Sequence, residues 1–219
     1  MSKRPNILLI FTDQQSANAM SCTGNADIST PNMDSLAADG VRFERAYCAT
    51  PSCAPARNSI MTGTLPHEIS FDDGGISNPD ATLGCIMSAS GYDCYYAGNR
   101  SFALGEEPQV CGFEPLSKSL DADMAVDCRD FLLDRGQQDG CNPFFLVTSF
   151  INPHNICQWA REQDTYLGAI EERHIHDCPV LPANHGIAPY EPQAIRSFTA
   201  THPSAFSTED LTDDPNWWR

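Results

Sequence analysis

The chain has 219 residues and sets 29 acidic against 13 basic side chains, for a formal net charge of −16. That length suits one α/β domain with a full core and is short for two, while the charge argues against nucleic acid or an anionic membrane as partner. The longest apolar run, residues 7–11, is too short to span a membrane.

In chain order, Ser2-Lys3-Arg4-Pro5 carries positive charge without an apolar segment of useful length behind it or a small-residue cleavage site. A cytoplasmic product is the expectation. Ile7-Leu8-Leu9-Ile10-Phe11 lies between Pro5 and Thr12-Asp13 and predicts a buried central strand of a parallel sheet. Asp13 and Gln14 fall at its carboxyl end, the edge where open α/β sheets bind ligands. They read either as oxygen ligands for a metal or as a strand-ending turn. Thr30-Pro31 opens and Gly40 closes a predicted helix. The alternating Val41-Arg42-Phe43-Glu44-Arg45-Ala46-Tyr47 predicts a second strand.

Residues 50–63 read T-P-S-C-A-P-A-R-N-S-I-M-T-G. Proline is tolerated only in a helix's first turn, so Pro55 places the helix start near Cys53. Arg57 follows one turn later, which brings free backbone N–H groups, the positive helix end and a guanidinium toward one spot. By residue type alone Cys53 is either a small buried hydrophobe or a nucleophile beside an anion site. Three residues separate Cys53 from Arg57, too few to wrap a phosphate as a thiolate phosphatase loop does.

Further along, Asp72-Asp73-Gly74-Gly75 predicts a solvated turn, and residues 82–90 a short helix ending at Gly91. Tyr92-Asp93-Cys94-Tyr95-Tyr96-Ala97 predicts a third strand, residues 120–135 an amphipathic helix, and residues 143–150 a fourth, strongly apolar strand. The last strand ends in Asn152-Pro153-His154, again at the ligand edge, where the histidine is either structural or catalytic. His174, His176, Asp177 and Cys178 lie close enough in sequence to be drawn as a metal cluster, although loop histidines are more often structural. The ten cysteines have no paired C-x-x-C spacing, so no zinc ribbon or dithiol redox motif is readable and mostly reduced thiols are expected; their even number leaves a disulfide framework as the other possibility.

These motifs carry a resemblance. Cys53-x-Pro55-x-Arg57 with Thr62-Gly63 beyond, preceded by T-P-N-x-D-x-L-A-x-x-G-V-x-F over residues 30–43, resembles the sulfatase family of the alkaline-phosphatase-like superfamily. The similarity covers nearly the whole chain and is strongest over residues 6–67. It implies an α/β fold, a mostly parallel sheet with helices on both faces, of which residues 1–219 are the N-terminal portion of a single domain incomplete at its C-terminus. It implies sulfuric ester hydrolysis in which a maturation enzyme oxidises Cys53 to formylglycine. One hydroxyl of the hydrated aldehyde attacks sulfur and the other then expels sulfate. Asp13, Gln14 and the modified residue 53 would hold calcium or another divalent cation, Arg57 would steady diol and sulfate, and His154 would assist. The substrate would be a small-molecule or saccharide sulfate ester, a choice made by parts of the family not represented here.

The resemblance also departs from pattern. Sulfatases place Gly-Lys-x-His after the third strand, where this chain has Gly98-Asn99-Arg100-Ser101. Arg100, with Asn99, is the candidate replacement for the sulfate-binding lysine, although a guanidinium orients differently. The family's remaining metal ligands come from a later part of its chain, so weak or no calcium binding is expected of these residues alone, and activity is either retained or lost. Two readings remain beside a sulfatase: a phosphate or phosphonate monoester hydrolase of the same superfamily, and a non-catalytic protein keeping the fold.

Overall fold

A computed structural model of the chain describes residues 4–69, 79–99 and 111–160, with Pro179, Pro192 and Gln193. The chain divides into two compact units, Met1–Ala17 with Asn32–His154, and Asn18–Pro31 with Asn155–Arg219. The described elements are β1 (Ile7–Asp13), α1 (Pro31–Asp39), α2 (Cys53–Thr62), α3 (Leu83–Ala89), β2 (Asp93–Gly98), β3 (Glu114–Ser117), α4 (Asp121–Gly136), β4 (Phe144–Pro153) and α5 (Ile156–Ala160). In the second unit, the hydroxyl of Ser21 lies 2.9 Å from that of Thr30 and closes the segment between them.

The first unit is built on a four-stranded sheet of order β1-β4-β2-β3, parallel at every pairing. Alternation along β2 and β4 makes its two faces. Cys94, Tyr96, Phe145 and Val147 turn to one side, where Met61 of α2 and Leu83 and Met87 of α3 pack on them. Ala97, Phe144 and Leu146 turn to the other, where Met124, Cys128 and Phe131 of α4 cover them. Helices on both faces explain why β4 is buried without interruption from Phe144 to Ser149. Burying Leu146 and Val147 completely contributes about 1.5–3 kcal/mol for each side chain.

Two expectations need correction, and one strand was not foreseen. β1 forms an edge of the described sheet, and β4 is the strand flanked on both sides. Ile7, Leu9 and Phe11 join the core, but Leu8 and Ile10 are 42% and 50% exposed because α4 lies over β2 and β4. A continuous apolar run predicts two covered faces, and here one face of β1 is open. Residues 41–47 form no strand. No described strand lies beside them to take their backbone groups, and Val41, Phe43 and Tyr47 are exposed. β3, which pairs with β2, was not legible. Its sequence Glu-Pro-Leu-Ser is short and contains a proline, which a sheet accepts at an edge.

Candidate active site

The local sequence accounts for α2. Ser52 is its extended N-cap (φ −141°, ψ 132°), Pro55 falls in the first turn, and Gly63 ends it in the left-handed region at φ 70° while donating its N–H to Ser59 O. Cys53 is therefore the first helical residue, and it is exposed. The amides of Cys53 and Ala54 have no acceptor within the helix. Arg57 follows about 6 Å along the axis and is 4% exposed.

Arg57 joins the helix to the sheet. It donates from Nη2 to Asp13 Oδ2 at 3.1 Å and from Nη1 to Ser149 Oγ at 2.5 Å. Its guanidinium carbon sits 4.8 Å from the centre of the Phe11 ring, within cation–π range. Asp13 is 7% exposed. Asn99 Nδ2 donates to its Oδ2 at 3.2 Å, and His154 Nδ1 lies 3.3 Å from its Oδ1. The carboxyl ends of β1, β4 and β2, three neighbouring parallel strands, thus contribute to one cluster around a buried carboxylate.

Two irregularities produce this convergence. Phe11 pairs with Ser149 but Asp13 pairs with Pro153, so β4 carries extra residues there. Such a shift re-aims side chains, and it brings Asp13 alongside the turn that presents His154. Gly98 has φ 93°, and a Cβ on it would stand 2.2 Å from Ser149 O and 2.3 Å from Met124 Sδ. That closeness lets Asn99 donate its N–H to Ser149 O at 2.8 Å. Tyr96 Oη donates to Asn99 O at 2.6 Å and fixes the same turn. Gly98→Ala should lower stability by about 2–4 kcal/mol through overpacking and a disfavoured φ, measured by urea denaturation.

Several sequence candidates thus meet. Asp13, Arg57, Asn99 and His154 form the cluster, and Cys53 stands one helical turn from Arg57 at the surface. Asn99, expected to bind substrate, directs its amide at Asp13. Arg57, expected to steady the diol and sulfate, directs both terminal nitrogens at Asp13 and Ser149, because a buried cation is stabilised by the carboxylate across from it. Gln14 leaves the strand at φ 63° and is exposed. Arg100, the turn at residues 72–75 and the histidine cluster at residues 174–178 lie outside the described residues. Ser149 was missed, although its place near the end of β4 was signal enough. The nine described cysteines are free thiols. Burial pushes Cys94, Cys111 and Cys128 up to about 11, which leaves them protonated and inert at neutral pH.

The residues present do not by themselves make a calcium site. Asp13 and Gln14 offer few of the roughly six to eight oxygens such an ion takes, and the Asp13 carboxylate already faces three nitrogen-bearing side chains. Among the described residues no three His, Cys, Asp or Glu side chains come together as a metal group. Nor is any described helix long and apolar enough to cross a membrane.

The protein family described as Sulfatase matches residues 5–173. The chain is 36% identical over 113 residues to an arylsulfatase of Clostridium perfringens, covering 50% of this chain and 23% of that protein. It is 36% identical over 115 residues to an N-acetylglucosamine-6-O-sulfatase of Bacteroides thetaiotaomicron, covering 52% of this chain and 20% of that one. Among solved structures, a 2-O GAG sulfatase superposes with a TM-score of 0.75 at 21% identity, over 98% of this chain and 49% of its own. The phosphonate monoester hydrolase of Agrobacterium radiobacter shares the fold at TM-score 0.55 and 23% identity, over 69% of this chain and 41% of that one. The matched region is thus less than a quarter of each of these two relatives and half or less of each of these two structures.

Proposed function

Because the chain belongs to the sulfatase family, we propose that it carries the nucleophile portion of a sulfuric ester hydrolase, with Cys53 as the residue a maturation enzyme oxidises to formylglycine. Residues 1–219 are read as the N-terminal portion of one sulfatase domain, a reading supported by the superposition of nearly the whole chain on half of a 2-O GAG sulfatase. The observation that carries the proposal is the placement of an exposed Cys53 at the start of α2, one turn from an arginine buried against the carboxyl ends of β1 and β4.

When formed, the hydrated aldehyde supplies the attacking hydroxyl. The rest is done by the chain's own groups. The opening amides of α2, without acceptors inside the helix, favour negative charge such as a sulfate oxygen beside residue 53. Arg57, fixed by Asp13 and Ser149, holds α2 to the sheet edge, so residue 53 is presented in one place. His154, with Nδ1 against Asp13, keeps its second ring nitrogen for a proton at the leaving oxygen. A divalent cation belongs to this reading only with ligands beyond the described residues, and no step here is assigned to it. A saccharide sulfate ester is the proposed substrate class, supported by the N-acetylglucosamine-6-O-sulfatase relative. The phosphonate monoester hydrolase neighbour supports phosphate or phosphonate monoesters as a second reading, and paired rates on aryl sulfate and aryl phosphate separate the two.

The direct test is mass. After co-expression with a formylglycine-generating enzyme, the tryptic peptide of residues 46–57, bounded by Arg45 and Arg57, should weigh about 18 Da less than its two-cysteine form, and fragmentation should place the loss at residue 53 with Cys48 still a thiol. An unmodified thiol at residue 53, or loss of that mass at Cys48 or another cysteine, overturns the proposal.

A further inference from the structure

Asp121 is a buried carboxylate to which none of the chemistry above gives a part. It is 5% exposed, and among the described residues no cation pairs with it. It opens α4 at φ 45°, the left-handed region that side chains other than Asn and Asp rarely enter. An acidic residue in the first turn suits a helix start, but this one does not bond its own helix amides. Its Oδ1 accepts the backbone N–H of Ile151 at 2.8 Å and of Asn152 at 3.3 Å, and its Oδ2 accepts from Asn152 Nδ2 at 3.0 Å. Three donors from the end of β4 thus satisfy one carboxylate that burial would otherwise penalise.

Those donors belong to the two residues just before Pro153 and His154. The extra residues of β4 that break its register with β1 lie in the same segment, so the sheet ladder does not fix the path of the turn there. The turn does close on itself, His154 N–H donating to Ile151 O at 3.0 Å, and that bond ties the ring-bearing residue to the residue Asp121 holds. His154 is 45% exposed on its side chain and meets Asp13 through Nδ1. Such a ring keeps its place only as well as the turn beneath it does.

We propose that Asp121 is a positioning residue for His154: its carboxylate, aimed away from its own helix by the left-handed backbone, sets the turn that holds the imidazole at Asp13. The proposal rests on the sulfatase reading for its kinetic consequence only, since the placement itself is read without substrate.

The test uses the full chain with Asp121→Gly and Asp121→Asn. Glycine keeps the left-handed backbone and deletes the carboxylate. Asparagine tolerates the same backbone and keeps one acceptor oxygen for the two amides. In Asp121→Gly, amide exchange at Ile151 and Asn152 should quicken by about tenfold or more, with β2 amides still protected, and the His154 ring nitrogen shifts should move to those seen in Asp13→Asn. Asp121→Asn should restore both signals most of the way. In the modified, co-expressed protein kcat on an aryl sulfate should fall about a hundredfold in Asp121→Gly with KM little changed, and recover in Asp121→Asn. Unchanged His154 shifts in Asp121→Gly overturn the proposal, as does equal behaviour of the two variants. So does global loss of protection in Asp121→Gly, which would make Asp121 a fold-holding group. Absence of turnover in the parent chain would count against the sulfatase reading alone, with the exchange and shift measurements still deciding the role of Asp121.

Discussion

Cys53→Ala should remove sulfate ester turnover by a factor on the order of 10⁶ while changing stability by less than about 0.5 kcal/mol. The two numbers diverge because of where the residue stands. Cys53 is exposed at the first position of α2, so truncating it opens no cavity, and alanine is the better helix former. In the proposed function, however, its thiol is the precursor of the nucleophile, so losing it removes the attacking group. Cys94, Cys111 and Cys128 give the contrast. Each is buried, so alanine there should cost packing and leave turnover per folded molecule intact. Turnover of an aryl sulfate and a thermal melt on the same preparation check both halves. Activity surviving in Cys53→Ala would place the nucleophile elsewhere in the chain.

The parts of the fold legible in the sequence were those with a local cause. α2 announces itself through Pro55 and Gly63, α4 through its helical period and Gly136, and β4 through an apolar run that both faces bury. The cluster was half legible for the same reason. Asp13 and His154 each end or follow a strand, where the sheet edge rule finds them, while Asn99 was reached only through the resemblance, as part of the segment standing where the family has Gly-Lys-x-His. What the sequence could not show is which of these groups bond one another, since that depends on strand order. Only with β4 between β1 and β2 do Ser149 and His154 meet Asp13 and Asn99. Residues 41–47 were misread because alternation predicts a strand only if a partner strand satisfies its backbone. Asp121 was invisible on other grounds: an acidic residue opening a helix is expected for the sake of the dipole, and its actual acceptors' partners lie about 30 residues away, at 151 and 152.

The Arg57–Asp13 pair predicts the largest loss of stability. Its side chains are 5% and 8% exposed and 3.1 Å apart, so each charge depends on the other for compensation that water would otherwise give. Arg57→Leu should cost about 3–5 kcal/mol, because it leaves a carboxylate buried against Asn99 and His154 alone. For a chain of this length that corresponds to a melting temperature lower by about 10 °C. Asp13→Asn should also destabilise, leaving the guanidinium with Ser149 and the Phe11 ring as its remaining contacts. The double variant should lose less than the two single losses added, with a coupling of about 2–3 kcal/mol. Urea denaturation of the four proteins measures it, and the coupling should hardly change between low and high salt because the pair is out of solvent. A surface pair would behave otherwise, giving less than about 1 kcal/mol and fading with salt. Additive losses would mean that Arg57 and Asp13 do not compensate each other, and that α2 is held to the sheet by Met61 and its apolar neighbours alone. The presentation of residue 53 would then have no polar anchor, and the site would lose the contact on which its geometry is built.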